Sequence, residues 1–282
     1  MKGFAMTLHA TDHRATMPST NVLHLRSEFV IALLLIMASI WQPASAQQPD
    51  TASVGNRAPL TAEQVVHNLV EMNLHRVEAL HAYQGIRIYR VEYHGFPGTR
   101  SAEMVVSMKY RSGTKKFIVQ SASGYKVIIE KVFRKLLEAE AEALDAEIQR
   151  RSGLTDDNYR FTLIGYESGF SGAMYVLDVE PRTKDKFLYR GRIWVDAEDF
   201  AAVRLEVEPA KNPSFWTKKA EFVQVYMKVG NFWLPAYNRS VTAIRLGGHA
   251  ELTIDYKDYE ITGASRVSGL STAHDETARA QE

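Results

Sequence analysis

Apolar and polar residues alternate with a period of two along most of the chain after residue 84, in blocks separated by short turns. In the block 250–257, for example, apolar residues oppose Glu251, Thr253, Asp255 and Lys257. Such alternation is typical of antiparallel strands with one dry face and one wet face. About eleven such strands are predicted on this criterion, nearly all adjacent in sequence. One of them covers residues 125–129.

Two segments follow a helical period instead. Thr61-Ala62-Glu63-Gln64 matches the capping box, and the apolar spacing that follows predicts a helix over 61–82. A second apolar stripe, amid Glu and Arg residues, predicts a helix over 131–151 that ends before Gly153. Its charged side indicates a helix that lies on a sheet with its back in water. The fold class predicted from these elements is α+β, mostly antiparallel β, with a long sheet that curls toward a barrel.

The N-terminal part contains an apolar run from Phe29 to Ile40, in which Ser39 is the one polar residue. The run is shorter than the roughly 20 residues that a membrane-spanning helix needs. Ala44 and Ala46 fit the A-x-A rule for signal peptidase, so we expect export and cleavage after Ala46. An uncleaved N-terminal membrane anchor is the alternative.

The chain is therefore predicted to have four parts. The parts are a signal peptide over 1–46, a flexible lead-in over 47–60, one folded domain over 61–261 and a disordered tail over 262–282.

Composition narrows the possible functions. The chain has no cysteine, so no lipid is attached at the cleavage site and no disulfide stabilises the fold. Cleavage after Ala46 leaves equal numbers of basic and acidic residues. A chain without a basic excess is not expected to bind nucleic acid, and a polybasic contact with a membrane surface has no support either.

Enzyme motifs are absent from the sequence. It contains no His-Glu-x-x-His zinc helix, no nucleophile elbow and no Gly-rich phosphate loop. Asp196, Glu198 and Asp199 are grouped closely enough for a calcium site, but a tight turn between two strands also explains them. The sequence therefore favours a binding protein over an enzyme, with no cofactor and no metal.

The strongest candidate for a site is the dry face of the curled sheet. Two helices and a long sheet are able to enclose a hydrophobic cavity, and an apolar cavity in an exported protein favours a lipid or acyl-chain ligand. Methionine suits such a face because its flexible thioether repacks around varied chains. The residues predicted to line the cavity are Tyr89, Val91, Met104, Val106, Met108, Phe117, Tyr189 and Ile193.

Residues from about 61 to 261 resemble the periplasmic lipoprotein-carrier group, the LolA-like or outer-membrane lipoprotein-sorting proteins. Four stretches carry the resemblance: Tyr189-Arg190-Gly191-Arg192-Ile193-Trp194-Val195-Asp196, Pro213-Ser214-Phe215-Trp216, Phe232-Trp233-Leu234-Pro235 and Leu252-Thr253-Ile254-Asp255-Tyr256. The resemblance implies a strongly curved, incomplete β-barrel, with helices covering its open side and a cavity for lipoprotein acyl chains. It also implies an arginine in the cavity, for which Arg87, Arg90, Arg190 and Arg192 are candidates.

Three functions follow as hypotheses. The first is a carrier, soluble in the periplasm after cleavage, that shields acyl chains of lipoproteins or lipids on the way to the outer membrane. Its partners would be an inner-membrane releasing complex and an outer-membrane acceptor. The second is an envelope-stress sensor or regulatory module that binds lipoproteins and a membrane-protein partner. The third is a secreted hydrolase whose site the motifs do not reveal. The expectation of a single domain favours the carrier.

Overall fold

A computed structural model describes residues 60–267, except 143–145, 170–171, 186, 212–216 and 246. The predicted signal peptide, the lead-in up to residue 59, the motif over 213–216 and most of the predicted tail lie outside the described residues.

Ten strands form one antiparallel sheet. They are β1 (Leu80–His94), β2 (Arg100–Arg111), β3 (Thr114–Gly124), β4 (Tyr159–Gly169), β5 (Gly172–Pro181), β6 (Tyr189–Asp196), β7 (Ala202–Pro209), β8 (Thr217–Val229), β9 (Phe232–Ile244) and β10 (His249–Ala264). Their order is β3-β2-β1-β10-β9-β8-β7-β6-β5-β4, so β3 and β4 are the two edges of an open, curved sheet. The predicted α+β class with an incomplete barrel is confirmed.

The first helix, α1 (Ala62–Ala79), begins with the predicted capping box. The Thr61 hydroxyl accepts from the backbone N–H of Gln64, and the Gln64 side chain accepts from the backbone N–H of Thr61. The helix ends three residues earlier than predicted, because the chain passes directly into β1 at Leu80. At the other end of the chain, β10 continues to Ala264, past the predicted domain end at Ile261.

The segment 125–129, predicted as a strand, is helical instead, and the described residues contain ten strands rather than about eleven. A π-helical turn (Ile128–Phe133) leads into α2 (Arg134–Glu142), and α3 (Ala146–Ser152) follows. Ile128 and Phe133, five residues apart, both point into the core, as the wider turn of a π-helix permits. A stretch of five residues is too short for its period to distinguish a strand from a helix, which explains the difference.

Two groups of buried apolar residues form the core. The first, named the β1 cluster, contains Met72, Ala79, Tyr83, Tyr89, Val91, Ala102, Met104, Val106, Met108, Phe117, Ile128, Phe133, Leu136, Leu137, Phe232, Leu234, Leu252, Ile254 and Val267. The second, named the β6 cluster, contains Val65, Val66, Leu69, Tyr159, Leu177, Val179, Leu188, Ile193, Val195 and Ala210. Helix α1 contributes its first half to the β6 cluster and its second half to the β1 cluster, so it bridges the two.

Within the described part of the chain, every helix is too short or too polar to cross a membrane.

Gly191 provides a test of how tightly β6 and β7 approach each other. Its φ of 138° is unfavourable for other residues, and a Cβ atom there would overlap the Glu206 carbonyl oxygen. Gly191→Ala should therefore lower the free energy of unfolding by several kcal/mol, since strain and overlap add. Gly113→Ala is the matched control, because Gly113 also has a positive φ but has open space around it. In urea unfolding, the control should lower the free energy of unfolding by about 1 kcal/mol. Equal losses in the two variants would contradict the close approach of β6 and β7 at Gly191.

Candidate functional site

One row of residues crosses the whole sheet, each member directly opposite the next on the neighbouring strand. From β3 to β4 the row is Ala122, Met104, Tyr89, Ile254, Asn238, Gln224, Leu205, Ile193, Leu177 and Leu163. Directly opposed residues share a face of a sheet. The face that contains this row, named the inner face, carries both core clusters and lies beneath α1 and α2. The row is apolar except at its centre, where Asn238 and Gln224 lie.

Six of the eight predicted cavity residues come together on β1, β2 and β3. Tyr89, Val91, Met104, Val106, Met108 and Phe117 all belong to the β1 cluster, and each is at most 5% exposed. Phe133, Leu136 and Leu137, from the π-helical turn and α2, belong to the same cluster. The aromatic rings of Tyr89 and Phe133 are 6.4 Å apart. The predicted lining is thus one continuous apolar patch that is covered by a helix.

The other two predicted residues lie farther along the same face. Ile193 is fully buried in the β6 cluster, and Tyr189 stacks on Phe222 with ring centres 5.7 Å apart. Strands β7 to β10 separate this pair from the first six. The eight residues therefore form two groups on the inner face rather than a single lining.

Among the four candidate arginines, Arg87 is the one buried within the apolar face. It is 3% exposed, and its guanidinium lies 5.6 Å from the ring centre of Phe117 and 5.1 Å from that of Tyr256. Arg90 lies on the opposite face, where it pairs with Glu103 and Asp255, and Arg192 is exposed. Arg190 faces away from the inner face as well, since it alternates with Tyr189 and Gly191 along β6.

A carboxylate from α2 neutralises this buried arginine. Glu140 forms an ion pair with Arg87 and accepts a hydrogen bond of 2.6 Å from the Tyr89 hydroxyl. Burial raises the pKa of Tyr89, so its hydroxyl keeps the proton that it donates. The sequence showed no sign of Glu140, because it is one of many charged residues in its helix.

Lys115 of β3 is a second cation beside the same carboxylate. Its Nζ lies 3.8 Å from Glu140 Oε2, and its side chain is largely buried. Burial, followed by the nearby Arg87 charge, lowers the pKa of Lys115 to about 7. Because Arg87 already balances Glu140, the charged form of Lys115 is in excess at this position.

The carboxylates considered for calcium have structural partners instead. Asp196 Oδ1 accepts from the backbone N–H groups of Glu198 and Asp199, which closes the β6–β7 turn. Asp199 accepts from the Trp233 indole at 2.8 Å and pairs with Lys228 at 2.7 Å. The described residues contain no group of three or more side chains arranged to hold a metal ion. Asp196 therefore forms the hydrogen bonds of a tight turn between β6 and β7.

A surface groove of about 540 Å³ lies away from the inner face. It runs between the first turns of α1 and the loop 155–157, and none of the eight predicted residues lines it.

No family model matches this chain, and no curated protein is significantly similar to it in sequence. Several solved structures are similar in fold. A DUF1329 family protein from Desulfovibrio piger has a TM-score of 0.37 and 15% identity, over 78% of this chain and 98% of its own. A LolA superfamily protein from Nitrosomonas europaea has a TM-score of 0.33 and 11% identity, over 73% of this chain and 96% of its own.

A protein with an outer-membrane lipoprotein-sorting domain from Vibrio parahaemolyticus has a TM-score of 0.33 and 13% identity, over 75% of this chain and 95% of its own. The LolA-like group suggested by the sequence is therefore also found among structurally similar proteins. At these scores the likeness carries no information about a ligand or a partner.

Removing one partner of the Arg87–Glu140 pair should be costly, because folding buries the other partner. Glu140→Gln leaves the Arg87 charge buried without its counter-ion, and we expect a loss of about 3–5 kcal/mol in the free energy of unfolding. Glu130→Gln is the control, because Glu130 pairs with Lys126 in an exposed i,i+4 geometry that is worth less than about 1 kcal/mol. Urea unfolding followed by circular dichroism measures both values.

The double variant Arg87→Met/Glu140→Leu removes both charges together. Its free energy of unfolding should therefore be closer to that of the parent than the value for Glu140→Gln is. A Glu140→Gln cost no larger than that of Glu130→Gln would show that the pair is not buried in solution.

Lys115 should make stability depend on pH. Its pKa is about 7 in the folded chain and returns toward 10.5 on unfolding. Between these values the unfolded chain binds more protons, so the free energy of unfolding should rise with pH through this window. Lys115→Met should remove that rise, whereas Lys116→Met, at an exposed position next along β3, should preserve it. Urea unfolding at about pH 7 and about pH 9.5 decides the matter, and an unchanged rise in Lys115→Met would contradict the prediction.

Proposed function

We propose that this protein is a periplasmic binding protein that carries acyl chains of lipoproteins or lipids toward the outer membrane. The observation that supports the proposal most directly is the β1 cluster. It places a continuous apolar patch on the inner face of an open sheet, under a short helical cover. The proposal includes export, cleavage after Ala46 and release into the periplasm.

The chemistry of the patch suits acyl chains of varied length and shape. Aromatic and branched side chains supply apolar area, and Met104 and Met108 supply flexible thioethers that repack at low cost. Each methylene of a bound chain contributes about 0.8 kcal/mol when it leaves water. Binding rather than catalysis is proposed because the patch consists of aliphatic and aromatic side chains.

The cover has properties that favour displacement. Helix α2 is nine residues long, and a helix of that length is not stable in water without its packing partners. It is attached through Phe133, Leu136 and Leu137 and through the Arg87–Glu140 pair. An entering acyl chain replaces the apolar contacts of the helix, and its burial offsets the cost of separating the ion pair.

The regulatory alternative has its own support at the protein surface. Leu74 and Val77, three residues apart on α1, are 58% and 69% exposed. Strands β3 and β4 are the open edges of the described sheet, and such edges accept a strand from a partner. A regulator would use these surfaces to hold a membrane-protein partner. A carrier would pass a labelled acyl chain to acceptor vesicles without that partner.

Val106→Asp tests the proposed site. Val106 is fully buried at the middle of the patch, so a carboxylate there should abolish binding of a fluorescent fatty-acyl probe. Val105→Asp is the matched control, because Val105 is the next residue of the same strand and faces the opposite side of the sheet. We expect the control to bind the probe as the parent does.

A circular-dichroism melt of each variant establishes that it folds. Val106→Thr, which has nearly the volume of valine, provides a milder change at the same position and should weaken binding measurably. If a folded Val106 variant binds the probe as tightly as the parent does, the patch is not the site.

A further inference from the structure

The inner face of β9 is polar although it is buried. Asn238, Ser240 and Thr242 occupy three successive inner positions, and each is at most 7% exposed. Their direct neighbours on β10 are Ile254, Leu252 and Ala250, all apolar. The three residues, named the β9 strip, therefore interrupt an otherwise apolar face between the β1 cluster and the β6 cluster. Asn238 and Thr242 are about 13 Å apart along the strand.

The hydrogen bonds of Gln224 determine which atom of Asn238 is left over. The Gln224 amide nitrogen donates to the backbone carbonyls of Val225 and Tyr237, both at 3.1 Å. Its oxygen is therefore the atom that accepts from the Asn238 amide nitrogen, at 2.8 Å. The Asn238 carbonyl oxygen remains, and it is buried without a donor among the residues that the structure describes.

A second polar atom of the β9 strip is also buried without a hydrogen-bond partner among the described residues. The Thr242 hydroxyl is buried and has no partner within the part of the chain that the structure describes. Buried polar groups of folded proteins are nearly always paired, and an orphaned one indicates a partner that the chain itself does not supply. Two such atoms on one strand, between two apolar clusters, indicate a ligand that is apolar with a polar group.

We infer that the β9 strip binds the polar head of the acyl ligand, and that this head is neutral and carries an N–H or O–H donor. The inference rests on the proposed function, since it concerns the other end of the same ligand. The free atom of Asn238 is an acceptor, which attracts a donor and repels a carboxylate. Asn238, Ser240, Thr242 and Gln224 carry no charge.

Three ligands with the same oleoyl tail separate the possibilities. Oleamide has an N–H donor at its head, methyl oleate has no donor, and oleate is an anion. Each is used to displace a fluorescent fatty-acyl probe from the mature protein. We expect oleamide to displace the probe at a concentration about tenfold lower than methyl oleate does, as one hydrogen bond of ordinary strength provides.

Variants locate the preference on the strip. In Asn238→Leu, oleamide and methyl oleate should displace the probe at the same concentration, because the acceptor that favours oleamide has been removed. Thr242→Val keeps the shape and removes an unpaired hydroxyl, so it should fold and should reduce the preference. Thr253→Val, on the opposite face of β10, should keep the preference of the parent. Thermal melts confirm that each variant is folded.

The outcomes distinguish the inference from the proposed function. If the parent binds the probe and the three ligands equally, the carrier proposal stands and the inference is wrong. If oleate binds most tightly, the head lies at Arg87 rather than on the β9 strip, and the inference is again wrong. If the probe does not bind the parent at all, both fall. A preference for oleamide that Asn238→Leu abolishes supports both.

Discussion

The antiparallel ladder between β1 and β10 is the interaction on which the rest of the structure depends. It pairs the first strand with the last and thereby joins two halves of the chain into one sheet. Without it, strands β1 to β3 would be separate from the other seven strands of the sheet. The ladder also places Arg87 opposite Tyr256 and Tyr89 opposite Ile254, so the patch and its buried charge both form when the chain ends meet. Pairing over so long a separation is slow to form, which makes it the natural late step of folding.

The polar groups of the inner face occupy two places with different consequences. Arg87, Glu140 and Lys115 lie together beneath α2, where the ion pair attaches the helix to the sheet. The β9 strip lies at the centre of the sheet, and two of its atoms have no hydrogen-bond partner in the described part of the chain. The first group attaches the cover to the sheet through the contacts of Glu140 with Arg87 and Tyr89, whereas the second group is the one to which we assign the selectivity of the face.

Sequence patterns predicted the elements whose two faces differ in polarity. The capping box located the start of α1, and alternation located the strands that supply the apolar patch. Alternation does not reveal the inner face of β9, because Asn238, Ser240 and Thr242 are polar although they lie on the buried side of the sheet. The sequence pattern also did not show that Arg87 rather than Arg90 is buried. That burial depends on Glu140, which lies 53 residues farther along the chain.

Helix α1 has no flexible joint with the sheet that it covers. Its last residue, Ala79, is followed at once by Leu80 of β1, and the Ala79 carbonyl accepts from the Ser265 N–H beyond the end of β10. A rotation of α1 would therefore pull apart the first pairs of β1 with β10 and β2. Helix α2 follows β3 through residues 125–133, and side-chain contacts, including those of Glu140 with Arg87 and Tyr89, attach it to β1. Helix α1 is therefore joined rigidly to the sheet and contacts both clusters, whereas the position of α2 depends on its side-chain contacts.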